Sequence, residues 1–226
     1  MEQEKSVLRW GGLAGILGAA VLILVMVFVG VVIGAGPDAL DGQVARFADI
    51  QILRVVENGV YLVGLLLAIC LFLSLFWSLR ESRLAPALFG SVIGIVGLIA
   101  MAVSATPHVA HAPLSELYQA AGATSEAQST IAILWQAVWG VFNAPLYVGF
   151  FSVPIGILLL GVAMIGTPTF GQIIGWISVV LGVAGIVAAV LQMIDPAGPF
   201  GMGSYFAIVI FTLVLGIKVY SVSRTS

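Results

Sequence analysis

Long apolar runs, interrupted at a few polar or proline-glycine points, set the pattern of this chain. About 20 consecutive apolar residues are enough to cross a bilayer as a helix. Six such runs are present, and they predict helices over Gly11–Gly34, Gln51–Leu79, Pro86–Ala105, Ile131–Ile165, Gln172–Ile194 and Tyr205–Tyr220. The breaks carry stop signals: Gly36-Pro37, Arg80-Glu81-Ser82-Arg83, Thr106-Pro107 and Asp195-Pro196. In the second run the most apolar part is Val60–Leu79, and nothing from Gln51 to Asn58 breaks a helix, so the helix is extended back to Gln51. Residues 106–130 form the longest predicted loop. The fourth run exceeds the roughly 30 Å of hydrocarbon, so its helix must tilt, protrude or bend. Pro145 and Pro154 supply bends, and one is expected near Asn143-Ala-Pro145.

Composition turns this pattern into a class. Apolar residues make up 61% of the chain and charged residues 8%, and mean hydropathy is +1.19. A soluble domain is about 25% charged. The predicted fold is therefore all-α: a polytopic membrane bundle of six transmembrane helices in one domain spanning 1–226. The first run is longer than the apolar core of a signal peptide, which reads as a retained helix. Gly11/Gly15, Gly30/Gly34, Gly90/Gly94 and Gly171/Gly175 are GxxxG pairs. They are expected to serve close packing within the bundle.

Charge then sets the orientation. Lys5, Arg9, Arg80, Arg83, Lys218 and Arg224 fall on one side, and only Arg46 and Arg54 on the other. Cations accumulate on the cytoplasmic side, so both termini are expected in the cytoplasm of a multi-pass protein of a bacterial or archaeal inner membrane. A net charge of −2 with no two adjacent cations excludes a nucleic-acid partner. The one cysteine, Cys70, excludes an intrachain disulfide or a CxxC pair and reads as a small core hydrophobe.

Polar side chains at membrane depth are the candidates for function. Arg54, Glu57, Asn58 and Tyr61 share one face of the second helix. Gln136, Asn143 and Tyr147 share a face of the fourth, and Gln192 and Asp195 close the outer end of the fifth. All lie in the outer half by topology. The inner half holds mainly Ser74, Ser91, Ser152, Ser178 and Thr212, hydroxyls that can bond backbone carbonyls. A conduction pathway needs polar surface through the whole thickness, so transport is disfavoured. An outer pocket is expected, lined by both stripes, with Gln192 near the rim and walls from Trp135 or Trp139. The competing reading has Arg54 and Glu57 as a local ion pair and Gln136 and Asn143 as packing bonds.

The outer loop adds His108 and His111, at i, i+3 if a short helix starts at Pro107. With Glu116 or Asp195 this spacing could bind a transition metal; the blander reading is a solvated loop. No HExxH motif occurs. Gly201-Met-Gly-Ser204 lacks the glycine after serine and a partnered base, so it is not read as a nucleophile. Two histidines three apart in one loop cannot both ligate one haem well. No cofactor is predicted.

The segments ADIQILRVVENGVYLVGLLLAICLFLSLFWSLRE (48–81) and VGFFSVPIGILLLGVAMIGTPTFGQIIGWISVVLGVAGIVAAVL (148–191) give the chain an order of features that resembles a family of uncharacterised bacterial six-helix integral membrane proteins, known as a domain of unknown function. The inner turn Gly166–Gly171 departs from that family's often basic pattern. The resemblance implies a six-helix bundle and transfers no catalytic residue. The expected function is non-enzymatic: binding a lipid, a small apolar ligand, or a membrane partner or second copy through the outer half. The alternative is an enzyme or metal site at His108 and His111.

Overall fold

A computed structural model describes residues 2–37, 39–196 and 198–225. Among them there is no strand. The elements are α1 (Glu2–Phe28), continued by a π-helical turn (Val29–Ile33), α2 (Leu40–Leu79), α3 (Leu84–Ser104), α4 (His108–Tyr118), α5 (Ser125–Met164), α6 (Gly171–Ile194) and α7 (Gly201–Thr225). Among the described residues six helical segments are long and apolar enough to cross a membrane, as the hydrophobic pattern predicts.

Several boundaries move outward from the sequence expectation. α1 starts at Glu2 and α7 at Gly201. α2 starts at Leu40 instead of Gln51, because Leu40, Val44 and Phe47 add an apolar face at i, i+4 and i+7 to a segment that looks polar overall. The predicted loop 106–130 contains α4. α5 starts at Ser125, where the Thr124 hydroxyl accepts from the Ala127 N–H at 3.2 Å and caps the first turn. α5 runs as one helix through Pro145 and Pro154, so neither proline ends it. Cys70, expected in the core, is exposed on α2.

The crossing helices form a closed ring: α1 packs on α2, α2 on α3, α3 on α5, α5 on α6, α6 on α7, and α7 back on α1. Glycines set the seams. A Cβ on Gly156 would lie 2.6 Å from the Gly90 carbonyl oxygen, and one on Gly216 would lie 2.6 Å from the Ile16 nitrogen. Backbones touch directly there, as the lack of a hydrophobic force between helices in lipid demands. Of the four predicted glycine pairs, Gly90/Gly94 and Gly11/Gly15 lie in such seams, as does Gly175; Gly30, Gly34 and Gly171 face open space.

Register across the seams shows where the helices end relative to one another. Gly90 faces Leu160 and Gly97 faces Val153, which puts Ser104, the end of α3, level with about residue 146 of α5. Gly182 faces Leu158 and Gly185 faces Pro154, so Ile194, the end of α6, reaches the same level. The Ser91 hydroxyl donates to the Phe72 carbonyl at 3.2 Å, which sets that level near residue 60 of α2. α2 and α5 therefore run past the ends of α3 and α6 by roughly 20 residues each, about 30 Å at 1.5 Å per residue. α4 packs on both arms. Together they make a cap with its own small core of Val44, Phe47, Ala132 and Trp135. The Ser115 hydroxyl donates to the Val44 carbonyl at 2.7 Å and the Gln119 amide to the Ala45 carbonyl at 2.6 Å, fastening α4 to α2.

Below the cap the bundle is packed through. Leu71, Phe72, Leu75, Leu79, Ile157, Leu160, Phe211 and Leu215 are fully buried. The hydroxyls of Ser74, Ser178 and Thr212 donate to carbonyls of their own helices at 2.7–2.9 Å, as expected from sequence.

Candidate functional site

A cavity of about 1330 Å³ lies where the cap meets the bundle. Ligand pockets commonly measure roughly 300–1,000 Å³. Its walls come from the end of α1, from α2 between Gln43 and Tyr61, from the start of α4, from α5 between Trp135 and Phe150, and from the α6–α7 connection. The floor, at the level where the bundle begins, carries Tyr61, Tyr147, Phe150 and Tyr205. The Tyr205 hydroxyl donates to the Leu22 carbonyl at 2.8 Å, tying α7 to α1 beneath it.

The second-helix stripe lines this space as a unit: Arg54, Glu57, Asn58 and Tyr61 all face it. Arg54 Nη1 lies 3.0 Å from Glu57 Oε2. The Asn58 amide donates to the Arg54 carbonyl at 2.8 Å and lies 3.3 Å from His108 Nδ1. On α5, Trp139, Asn143 and Tyr147 also line the cavity, and Trp135 stands beside them. Gln136 does not; it is exposed. The register places most of both stripes in the cap or at its base, above the level where α3 and α6 end.

Gln192 lines the cavity, but both ends of its amide are engaged: Nε2 donates to the Pro196 carbonyl at 2.8 Å and Oε1 accepts from the Gly201 N–H. It clamps the α6–α7 connection. Ser204 is likewise structural, donating to the Phe150 carbonyl at 2.7 Å.

The histidines are not in a solvated loop. His111 is 1% exposed. Its ring stacks on Trp135 with centroids 4.0 Å apart and on Trp139 at 5.7 Å, with the Phe47 edge at 5.8 Å. Among the described residues its Nε2 has no hydrogen-bond partner. His108, one turn earlier, also lines the cavity. Glu116 is exposed, turned away from His111 around α4. Among the described residues no three His, Cys, Asp or Glu side chains gather at metal-binding spacing, so the set His108, His111 and Glu116 is not assembled.

Arg46 and Phe47 lie in the part of α2 that precedes Gln51, outside the helix predicted from sequence. Carried back seven residues from Arg54, the same helical face reaches Phe47, so the signal was present in the chain. Arg46 donates to the carbonyls of Ala35, at 2.7 Å, and Ile33, and so caps the end of the π turn. Cations suit the carbonyl end of a helix. The turn itself ends at Gly34, whose φ of 67° needs a residue without a side chain.

No protein-family model, no curated protein and no solved structure matches this chain.

Proposed function

We propose that the protein is a multi-pass inner-membrane protein that holds a lipid or small amphipathic guest in this cavity, with its termini in the cytoplasm and the cap outside. On this reading it belongs with the six-helix bacterial membrane proteins that its order of features resembles. The observation that carries the reading is the cavity itself: a large space with aromatic walls, a cluster of polar groups at mid-depth and a closed bundle below. A guest with one polar end and an apolar body suits it. Catalysis has less support, since among the described residues no third His, Cys, Asp or Glu joins the histidines at metal-binding spacing. Transport has less still, since fully buried leucine and phenylalanine side chains fill the bundle below the floor.

Gly30 offers a direct test. It lines the cavity and a Cβ there would meet nothing within 4 Å. Native mass spectrometry is expected to show a co-purifying mass on the wild type, and Gly30→Trp, which narrows the space, is expected to lower it. Equal bound mass in both proteins, or none in either, counts against the reading. For orientation, Cys at the exposed positions Ser125 and Ser82 should label from outside and from inside the cell respectively; the reverse pattern inverts the topology.

A second reading, a partner subunit or second copy seated on the cap, is supported by exposed apolar side chains on its arms. Ile52, Val55 and Val56 on α2 and Ile133, Leu134 and Val141 on α5 face outward. Light scattering of the purified protein distinguishes monomer from dimer.

A further inference from the structure

The chemistry of the guest's polar end can be taken further, resting on the reading that the cavity holds an amphipathic guest. A carbonyl oxygen only accepts, so the Asn58 atom 2.8 Å from the Arg54 carbonyl is the amide nitrogen. Its second N–H then points to His108 Nδ1, 3.3 Å away. Nδ1 accepts, and a neutral imidazole that accepts at Nδ1 carries its proton on Nε2. His108 therefore offers a donor. It sits in the first turn of α4, where the helix dipole adds partial positive charge. Arg54, which lines the same cavity, gives one N–H to Glu57 and keeps others, since a guanidinium has five. Glu57 is the only carboxylate among the described lining residues, and Arg54 already engages it.

We propose that the polar end of the guest is an oxyanion, a carboxylate or phosphate, held by His108 Nε2–H and the Arg54 guanidinium at the first turn of α4. Its apolar body lies along Met26, Phe142 and Leu146. His111, whose Nε2 lacks a partner among the described residues, stands one turn further along the same face of α4. Hydrogen bonds to an ionised acceptor are about twice as strong as neutral ones, which favours an oxyanion over a hydroxyl or ester.

The test uses the whole chain in nanodiscs of zwitterionic lipid, with the exposed Trp10, Trp77, Trp139 and Trp176 changed to Phe so that the buried Trp135 alone reports. A dibrominated fatty acid is titrated as quencher beside its methyl ester. The acid should saturate at about tenfold lower concentration, equivalent to about 1.4 kcal/mol. His108→Leu and Arg54→Gln should each remove the preference and leave quenching by the ester unchanged. His108→Gln, which keeps an N–H donor, should retain most of it. Equal affinity for acid and ester overturns the oxyanion and leaves an amphipathic guest standing. A preference that survives both variants overturns the assignment to His108 and Arg54. No saturable quenching by either probe removes the guest reading as well. Inorganic phosphate and acetate identify the source: competition supports a free anion as sufficient, and its absence supports a lipid acid that needs its tail.

Discussion

The bundle and the cap are made from the same helices by opposite means. In the bundle, α2 and α5 are held by glycine seams and closely fitted leucine and phenylalanine side chains, with hydroxyls turned back on their own carbonyls. In the cap, the continuations of these helices meet through four buried side chains, a short third helix and hydrogen bonds between side chains and backbone. Gly59 and Gly140, in the arms, face nothing within 4 Å. The contrast teaches that glycine content does not mark the packed region; facing backbone does. It also explains where the cavity lies. Two helices without close seams leave space between them, and polar groups that the bundle would reject collect there.

The sharpest way to break the comparison is to place a large side chain in a seam and in an arm. Gly156→Leu should abolish folded, monodisperse protein, because its added atoms meet the backbone of Gly90 and Gly94. Gly140→Leu should stay within about 0.5 kcal/mol of wild type. Thermal unfolding followed by size-exclusion chromatography reads both. If the two behave alike, the distinction between bundle and cap fails.

Next is the cap core. Trp135→Ala removes a residue that contacts Phe47 at 5.0 Å and His111 at 4.0 Å. It should destabilise by about 3–5 kcal/mol, but locally. The expected sign is faster proteolysis between α4 and α5 with the bundle still folded. Cooperative loss of the whole protein would instead show one folding unit.

A smaller effect, of opposite sign, is expected at His111. A buried polar atom without a partner costs about 1–3 kcal/mol. His111→Phe keeps the stack on Trp135 and removes that atom, so the melting temperature should rise; a fall would show the ring nitrogen engaged in the free protein. The smallest effect belongs to the pair Arg54–Glu57, whose side chains are 29% and 12% exposed. Glu57→Gln should change stability by at most about 1 kcal/mol. A double-mutant cycle with Arg54→Gln measures it.

The bundle was largely legible in the sequence because its signal is long and repeated: some twenty apolar residues, then a break. The cap was only half legible. Tyr61, Asn58, Glu57 and Arg54 announce a face through their spacing, but Leu40, Val44 and Phe47 lie among polar neighbours that mask the start of the helix. Helix length gave no hint of how far α2 and α5 project, since that depends on which residue faces which across a seam. The buried position of His111 was hidden for a related reason. Its burial comes from Trp135 and Phe47, distant in sequence, and not from the short segment around it. Cys70 failed the other way, because an apolar run in a membrane helix does not say which side faces inward.

The ring closes between α1 and α7, helices far apart in the chain. Gly15 meets Gly216 across that seam, 201 residues later in the chain. At roughly 5–20 residues per second, α1 waits about 10–40 s for its neighbour. Throughout that interval the α7-facing surface of α1 is bare, and the carbonyl of Leu22 lacks the hydroxyl of Tyr205. A ribosome stalled before α7 therefore leaves a chain whose other seams can form but whose cavity has no wall on that side. Synthesis of α7 completes the Gly15–Gly216 seam and, with Tyr205, that wall and part of the floor of the cavity.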